Sequence, residues 1–163
     1  MKKVLAVMCI ALAFTGCGNN EKKEVSMIEL SNRYSLVENF NNSYARVYKN
    51  KKYGYINSKG EEIAPCIYDN IGSTGFVEDM LLVQKDKLWG FVNTKGEEII
   101  PCVYSEAYAF NEGVAIVSQN DMYGLIDKKG NEVIPCIYDS ISNVNNGVAT
   151  ARINAEWYII EVK

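Results

Sequence analysis

WGFVNTKGEEIIPCVY, running from Trp89 to Tyr104, decides how this chain is read, because it is written three times. YGYINSKGEEIAPCIY precedes it at Tyr53 to Tyr68, and YGLIDKKGNEVIPCIY follows it at Tyr123 to Tyr138. A block recurring at a fixed period is the signature of a tandem-repeat architecture, in which no unit buries its apolar face alone. Working outward, Tyr104-Ser105 is followed by Phe110-Asn111 and then Gly124, as Tyr34-Ser35 is by Phe40-Asn41 and then Gly54. A degenerate first unit therefore precedes the obvious ones. Tyr34, Tyr68, Tyr104 and Tyr138 mark four units with spacings of 34, 36 and 34 residues.

Within each unit the residues alternate as strands do. Ala45 and Val47 align with Leu81 and Val83, Ala115 and Val117, and Ala149 and Ala151, a period-two apolar face. The opposite face mixes Tyr44, Arg46, Met80, Ile116 and Thr150, so this first strand is expected to be half-buried. A second strand begins at Tyr53, Trp89, Tyr123 and Trp157, and a third at Glu61, Glu97 and Asn131. Asn57-Ser58-Lys59-Gly60 and its two copies join them with hairpin chemistry, glycine supplying the positive φ. Pro65, Pro101 and Pro135 are expected to stop the third strand, because proline cannot donate to a ladder. The segments Asn70 to Gly75, Glu106 to Ala109 and Ser140 to Val144 read as variable loops that choose a partner. No helical period appears after residue 16, so the expected fold is all-β, tandem antiparallel hairpins in an open stack or a small closed propeller-like ring. Met27-Ile28-Glu29-Leu30 falls where a preceding third strand would lie, a framing that suits ring closure.

The unit, aromatic-Gly-(Tyr/Phe/Leu)-(Ile/Val)-(Asn/Asp)-x-Lys-Gly-x-Glu-(Ile/Val)-(Ile/Ala)-Pro-Cys-x-Tyr, resembles the WG repeat of bacterial proteins over Tyr34 to about Val162. The resemblance implies tandem β-hairpins on secreted or envelope proteins and carries no general activity. Tyr53 and Tyr123 replace the namesake tryptophan, and Trp157-Tyr158 loses the glycine, as expected of a terminal unit with no successor to pack against.

The N-terminus reads as a targeting device. Met1-Lys2-Lys3 is a positive n-region, and Val4 to Phe14 is an apolar run too short to span a bilayer. With Thr15-Gly16-Cys17 the stretch resembles a bacterial lipoprotein signal, although Phe14 stands where leucine is usual. The resemblance implies a signal peptide over 1–16, lipid on Cys17, a polar tether over 17–26 and a repeat domain over 27–163. Two or more acyl chains anchor durably where one is marginal. The expected location is the cell membrane or the outer membrane, lipid-anchored and facing outside the cytoplasm.

The remaining residues are read by what they exclude. A net charge of −3 gives no basic footprint for nucleic acid. With no histidine, Ser/His and Cys/His nucleophiles are absent. Glu61-Glu62 and Glu97-Glu98 are adjacent on strands and diverge, so they do not form a hydrolytic pair. Cys66, Cys102 and Cys136 are odd in number and share one repeat position, which suits small buried hydrophobes better than a disulfide set or metal site. Asp69 and Asp139, with Ser35 and Ser105, are expected to satisfy the hydroxyls of the neighbouring tyrosines. The repeat positions Tyr53, Gly54, Trp89, Gly90, Tyr123, Gly124 and Trp157 are read as structural, the rings forming the core and each glycine marking close backbone approach. The expected function is non-catalytic binding or scaffolding of an envelope protein, without cofactor; the alternative is a carbohydrate-binding module that uses the repeat aromatics.

Overall fold

The computed structural model describes residues 25–162, so the signal segment and Cys17 lie outside the described residues. A short helix, α1 (Met27–Arg33), is followed by fifteen strands in four antiparallel sheets. The first sheet is the meander β1 (Leu36–Val37), β2 (Tyr44–Lys49), β3 (Lys52–Asn57) and β4 (Glu62–Tyr68). The second repeats it with β5 (Asn70–Val77), β6 (Met80–Lys85), β7 (Leu88–Asn93) and β8 (Glu98–Tyr104). The third has β9 (Glu106–Ala107), β10 (Val114–Gln119), β11 (Met122–Asp127) and β12 (Glu132–Tyr138). The fourth has three strands, β13 (Ser140–Ile141), β14 (Val148–Ile153) and β15 (Glu156–Glu161).

Local chemistry sets the turns. Between the two central strands of every sheet lies a two-residue turn with both φ positive, Asn50-Lys51, Asp86-Lys87, Asn120-Asp121 and Asn154-Ala155. That geometry matches the strand twist. At the next hairpin the Asn57 carboxamide oxygen accepts the Lys59 and Glu61 amides at 3.0 and 3.1 Å, and Gly60 closes the turn at φ +75°. Asn93 and Asp127 repeat the arrangement.

Packing then runs in chain order. Each sheet turns one face to its predecessor and the other to its successor. Tyr55, Ala64 and Tyr68 of the first sheet pack with Ile71, Leu81, Val83 and Val92 of the second. Met80, Phe91 and Ile100 meet Phe110, Ala115, Val117 and Ile126 of the third. Val114, Ile116 and Leu125 meet Val144 and Ala149 of the fourth. The first central strand of the third sheet is consequently covered on both sides, with Val114 to Ser118 all buried, which corrects the half-buried expectation there; β2 and β14 alternate between buried and less buried positions as expected.

Three further expectations are corrected, and of the two expected arrangements one is found. Met27 to Leu30 are helical: the Ser26 hydroxyl accepts the Glu29 amide at 3.1 Å, and Leu30 and Tyr34 bury themselves against Ala45, Val47 and Ile56. The helix thus caps the face where a preceding sheet would pack. The three prolines do not stop their strands. Each sits inside an edge strand, at a register shift where no amide is required. The segments Asn70 to Gly75, Glu106 to Ala109 and Ser140 to Val144, read as loops, instead lie within or begin with β5, β9 and β13, the first strands of the second, third and fourth sheets. Finally, the stack is open, since among the described residues no strand of the first sheet pairs with one of the last and no core cluster joins them.

Carboxylates staple successive sheets together. Glu78 accepts the Gly113 amide at 3.1 Å and pairs with Lys128 at 3.0 Å, while Glu112 accepts the Asn146 and Gly147 amides at 2.9 Å. Burial pushes the Glu78 carboxyl up, but Lys128 and the donated amides outweigh it and hold the group below its usual range. A depressed native pKa adds stability that is present above the ordinary glutamate pKa and lost as pH falls through the native one. Glu78→Gln is therefore expected to cost about 1 kcal/mol at neutral pH, and to lose less stability than wild type on acidification below about pH 4. Urea midpoints measured against pH test this, and parallel acid profiles would contradict it.

Candidate functional site

At the second-to-third and third-to-fourth junctions the flat packing opens into a groove along one edge. Its walls come from the successor face of one sheet and the first strand of the next. Between the second and third sheets, Leu82 and Trp89 face Ala107 and Ala109 across a space of about 510 Å³. Between the third and fourth, Ile116 and Tyr123 face Ile141 and Asn143 across about 470 Å³. These lining residues correspond pair by pair at a spacing of 34 residues. Tyr108 borders both grooves and separates them. Volumes of this size are typical of small-ligand clefts.

The groove rings are fixed by polar partners. Tyr123 donates its hydroxyl to Glu106 Oε2 at 2.8 Å, and Tyr108 donates to the same oxygen at 3.3 Å. The Glu106 carboxylate, helped by partial desolvation, holds the Tyr123 phenol protonated, with its pKa pushed up to about 12. Arg46 lies over the Tyr53 ring at 5.1 Å, bonds Glu38 at 2.6 Å and donates to the Ile71 carbonyl at 3.1 Å, tying the first sheet to the second.

This placement corrects the reading of the repeat aromatics as core. Tyr53, Trp89 and Tyr123 are only partly buried, and Trp157 is 64% exposed beneath Arg152. The inter-sheet core is held by the residue two places later, Tyr55, Phe91 and Leu125, each next to a glycine in the motif. Those glycines do lie where a backbone crosses. Tyr53 pairs with Tyr68 but Tyr55 with Ala64, so the backbone of Pro65 to Ile67 bulges over Gly54. The same shift places Pro101 to Val103 over Gly90 and Pro135 to Ile137 over Gly124. Among the described residues no strand follows β15 to cross this point, and Tyr158 stands there, 46% exposed. A side chain at this position therefore meets no crossing backbone, unlike one at Gly54, Gly90 or Gly124.

Other expected roles shift as well. Asp69 does not serve Tyr68; it pairs with Lys52 and accepts the Asp86 amide at 2.7 Å, and both partners lower its pKa. Asp139 lies on the wall of the second groove. Ser105 bonds Ser118 rather than Tyr104. Of the marker tyrosines, Tyr34 donates to Glu62 at 2.8 Å. Glu61 instead accepts the Asn57 side chain at 2.6 Å, so the glutamate pair is split between two neighbours. Cys66, Cys102 and Cys136 are partly buried thiols, one in each of three successive sheets, and burial raises the pKa of all three. Among the described residues no three metal-ligating side chains gather. The inter-sheet carboxylates Glu78 and Glu112 and the groove carboxylate Glu106 went unread in the sequence; the first two carried one signal, a shared spacing of 34 residues.

The model of the family described as WG containing repeat matches residues 31–53, 53–89, 89–123 and 123–157. No curated protein matches the chain. Among solved structures, one titled "KlHsv2 with loop 6CD replaced by a Gly-Ser linker" aligns at 13% identity with a TM-score of 0.41. That alignment covers 74% of this chain and 45% of the other.

Proposed function

This chain belongs to the WG containing repeat family, and from that premise we propose that it acts as a non-catalytic binding or scaffold module held at the cell envelope by lipid on Cys17. The observation that carries the reading is the pair of equivalent grooves, each walled by the repeat aromatic of one sheet and by the first strand of the next. Stacked repeats present such sites along one extended surface, and side chains that differ between equivalent positions give each its own preference. Gly72 against Tyr108, and Ala109 against Asn143, are differences of this kind. The partner in this reading is an envelope protein. A photo-crosslinking residue at Ala109 should trap one defined protein in cells, whereas the same residue at the Lys95 turn should trap none. Equal crosslinking at both positions would remove the groove from the proposal.

A second reading, carbohydrate binding, is favoured by one specific feature: the Trp89 and Tyr123 rings are partly exposed, with polar groups beside them. Aromatic faces flanked by hydrogen-bonding groups suit sugar rings. Glycan-array binding abolished by Trp89→Ala, with circular dichroism unchanged, would select this reading over the first.

Anchoring rests on the charged start, the apolar run and Thr15-Gly16-Cys17. Cys17→Ser is expected to leave the protein unprocessed or soluble in cell fractionation. A cleaved Cys17→Ser product still in the membrane fraction would contradict lipid attachment.

A further inference from the structure

The groove between the third and fourth sheets carries negative charge that the fold leaves unmatched. Asp139 stands where Asp69 stands two sheets earlier. Each follows the last strand of its sheet and donates its amide to a carbonyl of the next sheet at 2.8 Å, Asp69 to Gln84 and Asp139 to Arg152. The Asp69 carboxylate is neutralised by Lys52, the residue before the repeat aromatic Tyr53. In the third sheet Met122 takes the place of that lysine, before Tyr123, in the same register. Asp139 consequently forms no ion pair among the described residues, and it lies on the groove wall.

Two rings and a second carboxylate accompany it. Glu106 Oε2 accepts the hydroxyls of Tyr123 and Tyr108, and Oε1 takes no hydrogen bond among the described residues. No lysine or arginine lines this groove; Ile116 and Ile141 supply its apolar surface. Among the described residues no three metal-ligating side chains gather, so the donor set suits an organic cation better than a metal ion. The neighbouring groove has the opposite sign, with Arg46 as the charged residue on its wall. A side chain with a long apolar stem and a cationic head fits the first groove and is disfavoured in the second. Its stem covers aliphatic surface, and its head meets carboxylates and aromatic faces.

We propose that the groove between the third and fourth sheets takes a lysine or arginine side chain, presented by an extended segment of the partner protein. The assignment rests on the binding-module reading above and adds to it the chemistry of one contact. The partner's cation takes at Asp139 the part that Lys52 plays at Asp69.

The test titrates a capped alanine pentapeptide with lysine at its centre into the full chain in mild detergent, following the ring resonances of Tyr108 and Tyr123 by NMR. Saturable shifts are expected, with a midpoint on the order of millimolar for one solvent-exposed contact. The norleucine peptide, which keeps the stem and lacks the charge, should bind about fivefold more weakly or worse. Asp139→Asn should weaken the lysine peptide by a similar factor. Asp69→Asn, an equal change of net charge at the equivalent position, should leave it within about twofold. Met122→Lys restores the cation that Lys52 supplies in the first sheet, and should weaken binding about tenfold by filling the site from within. Circular dichroism checks each fold; Asp69 and Asp139 are exposed and Met122 partly so. Equal binding of the two peptides, equal losses from Asp69→Asn and Asp139→Asn, or a Met122→Lys chain that binds like wild type overturns the proposal. The two readings fail separately. If the lysine peptide does not bind while a crosslinker at Ala109 still traps an envelope protein, the basic side chain is lost and the binding module stands.

Discussion

Gly90→Ala is expected to destabilise this protein by about 3 kcal/mol or more, a large cost for one methyl group. A Cβ at Gly90 would lie 2.5 Å from the Ile100 carbonyl oxygen and 2.7 Å from both the Cys102 nitrogen and the Pro101 carbonyl carbon. All three are backbone atoms of the bulged strand that crosses it, so no side-chain rotation relieves the clash. Gly124 meets the same obstacle at 2.5 and 2.8 Å, and Gly54 at 2.8 Å. Tyr158 supplies the internal control. It occupies the same repeat position beneath no crossing strand, and Tyr158→Ala is expected to cost under about 1 kcal/mol. Urea unfolding of the two variants decides the matter. A Gly90→Ala midpoint close to wild type would mean that the crossing does not exist.

Phe91→Ala should cost about 3–5 kcal/mol, the usual penalty for emptying an aromatic core site. Phe91 is fully buried between the second and third sheets, and its ring meets Phe110 edge-on at a centroid distance of 4.8 Å. Trp89, two residues earlier and larger, is only partly buried at the groove wall, so Trp89→Ala should cost about 1–2 kcal/mol. Ile159, the equivalent of Phe91 in the fourth sheet and 78% exposed, should tolerate alanine within about 0.5 kcal/mol. The order Phe91, Trp89, Ile159 is thus set by cover rather than by residue size. Equal losses at Phe91 and Trp89 would return the namesake ring to the core and weaken the case for a groove.

What the sequence made legible was local or repeated. The Asn57-to-Gly60 turns, the close approach at Gly54, Gly90 and Gly124, and the frame marked by four tyrosines all follow from chemistry acting within one unit. The repeat frame also misled. It assigned Met27 to Leu30 to a strand by position, although Ser26 and Glu29 carry a helix-capping pattern. The prolines read as stops because proline lacks a donor, but an edge strand that bulges has no donor to lose. Trp89 read as core because large rings usually are; its cover is decided by where the next sheet begins, which no single unit encodes. Glu78 and Glu112 escaped notice for the same reason, since their partners are amides in the following unit.

Only two tryptophans occur in the chain, and they stand at equivalent positions of the second and fourth sheets. In an open stack they differ in exposure; in a closed ring both would be walled by a neighbour. Acrylamide quenching of Trp89→Phe and Trp157→Phe, each holding one remaining tryptophan, reads this directly. The open stack requires redder emission and several-fold stronger quenching from Trp157 than from Trp89. Matched spectra and matched quenching would contradict it.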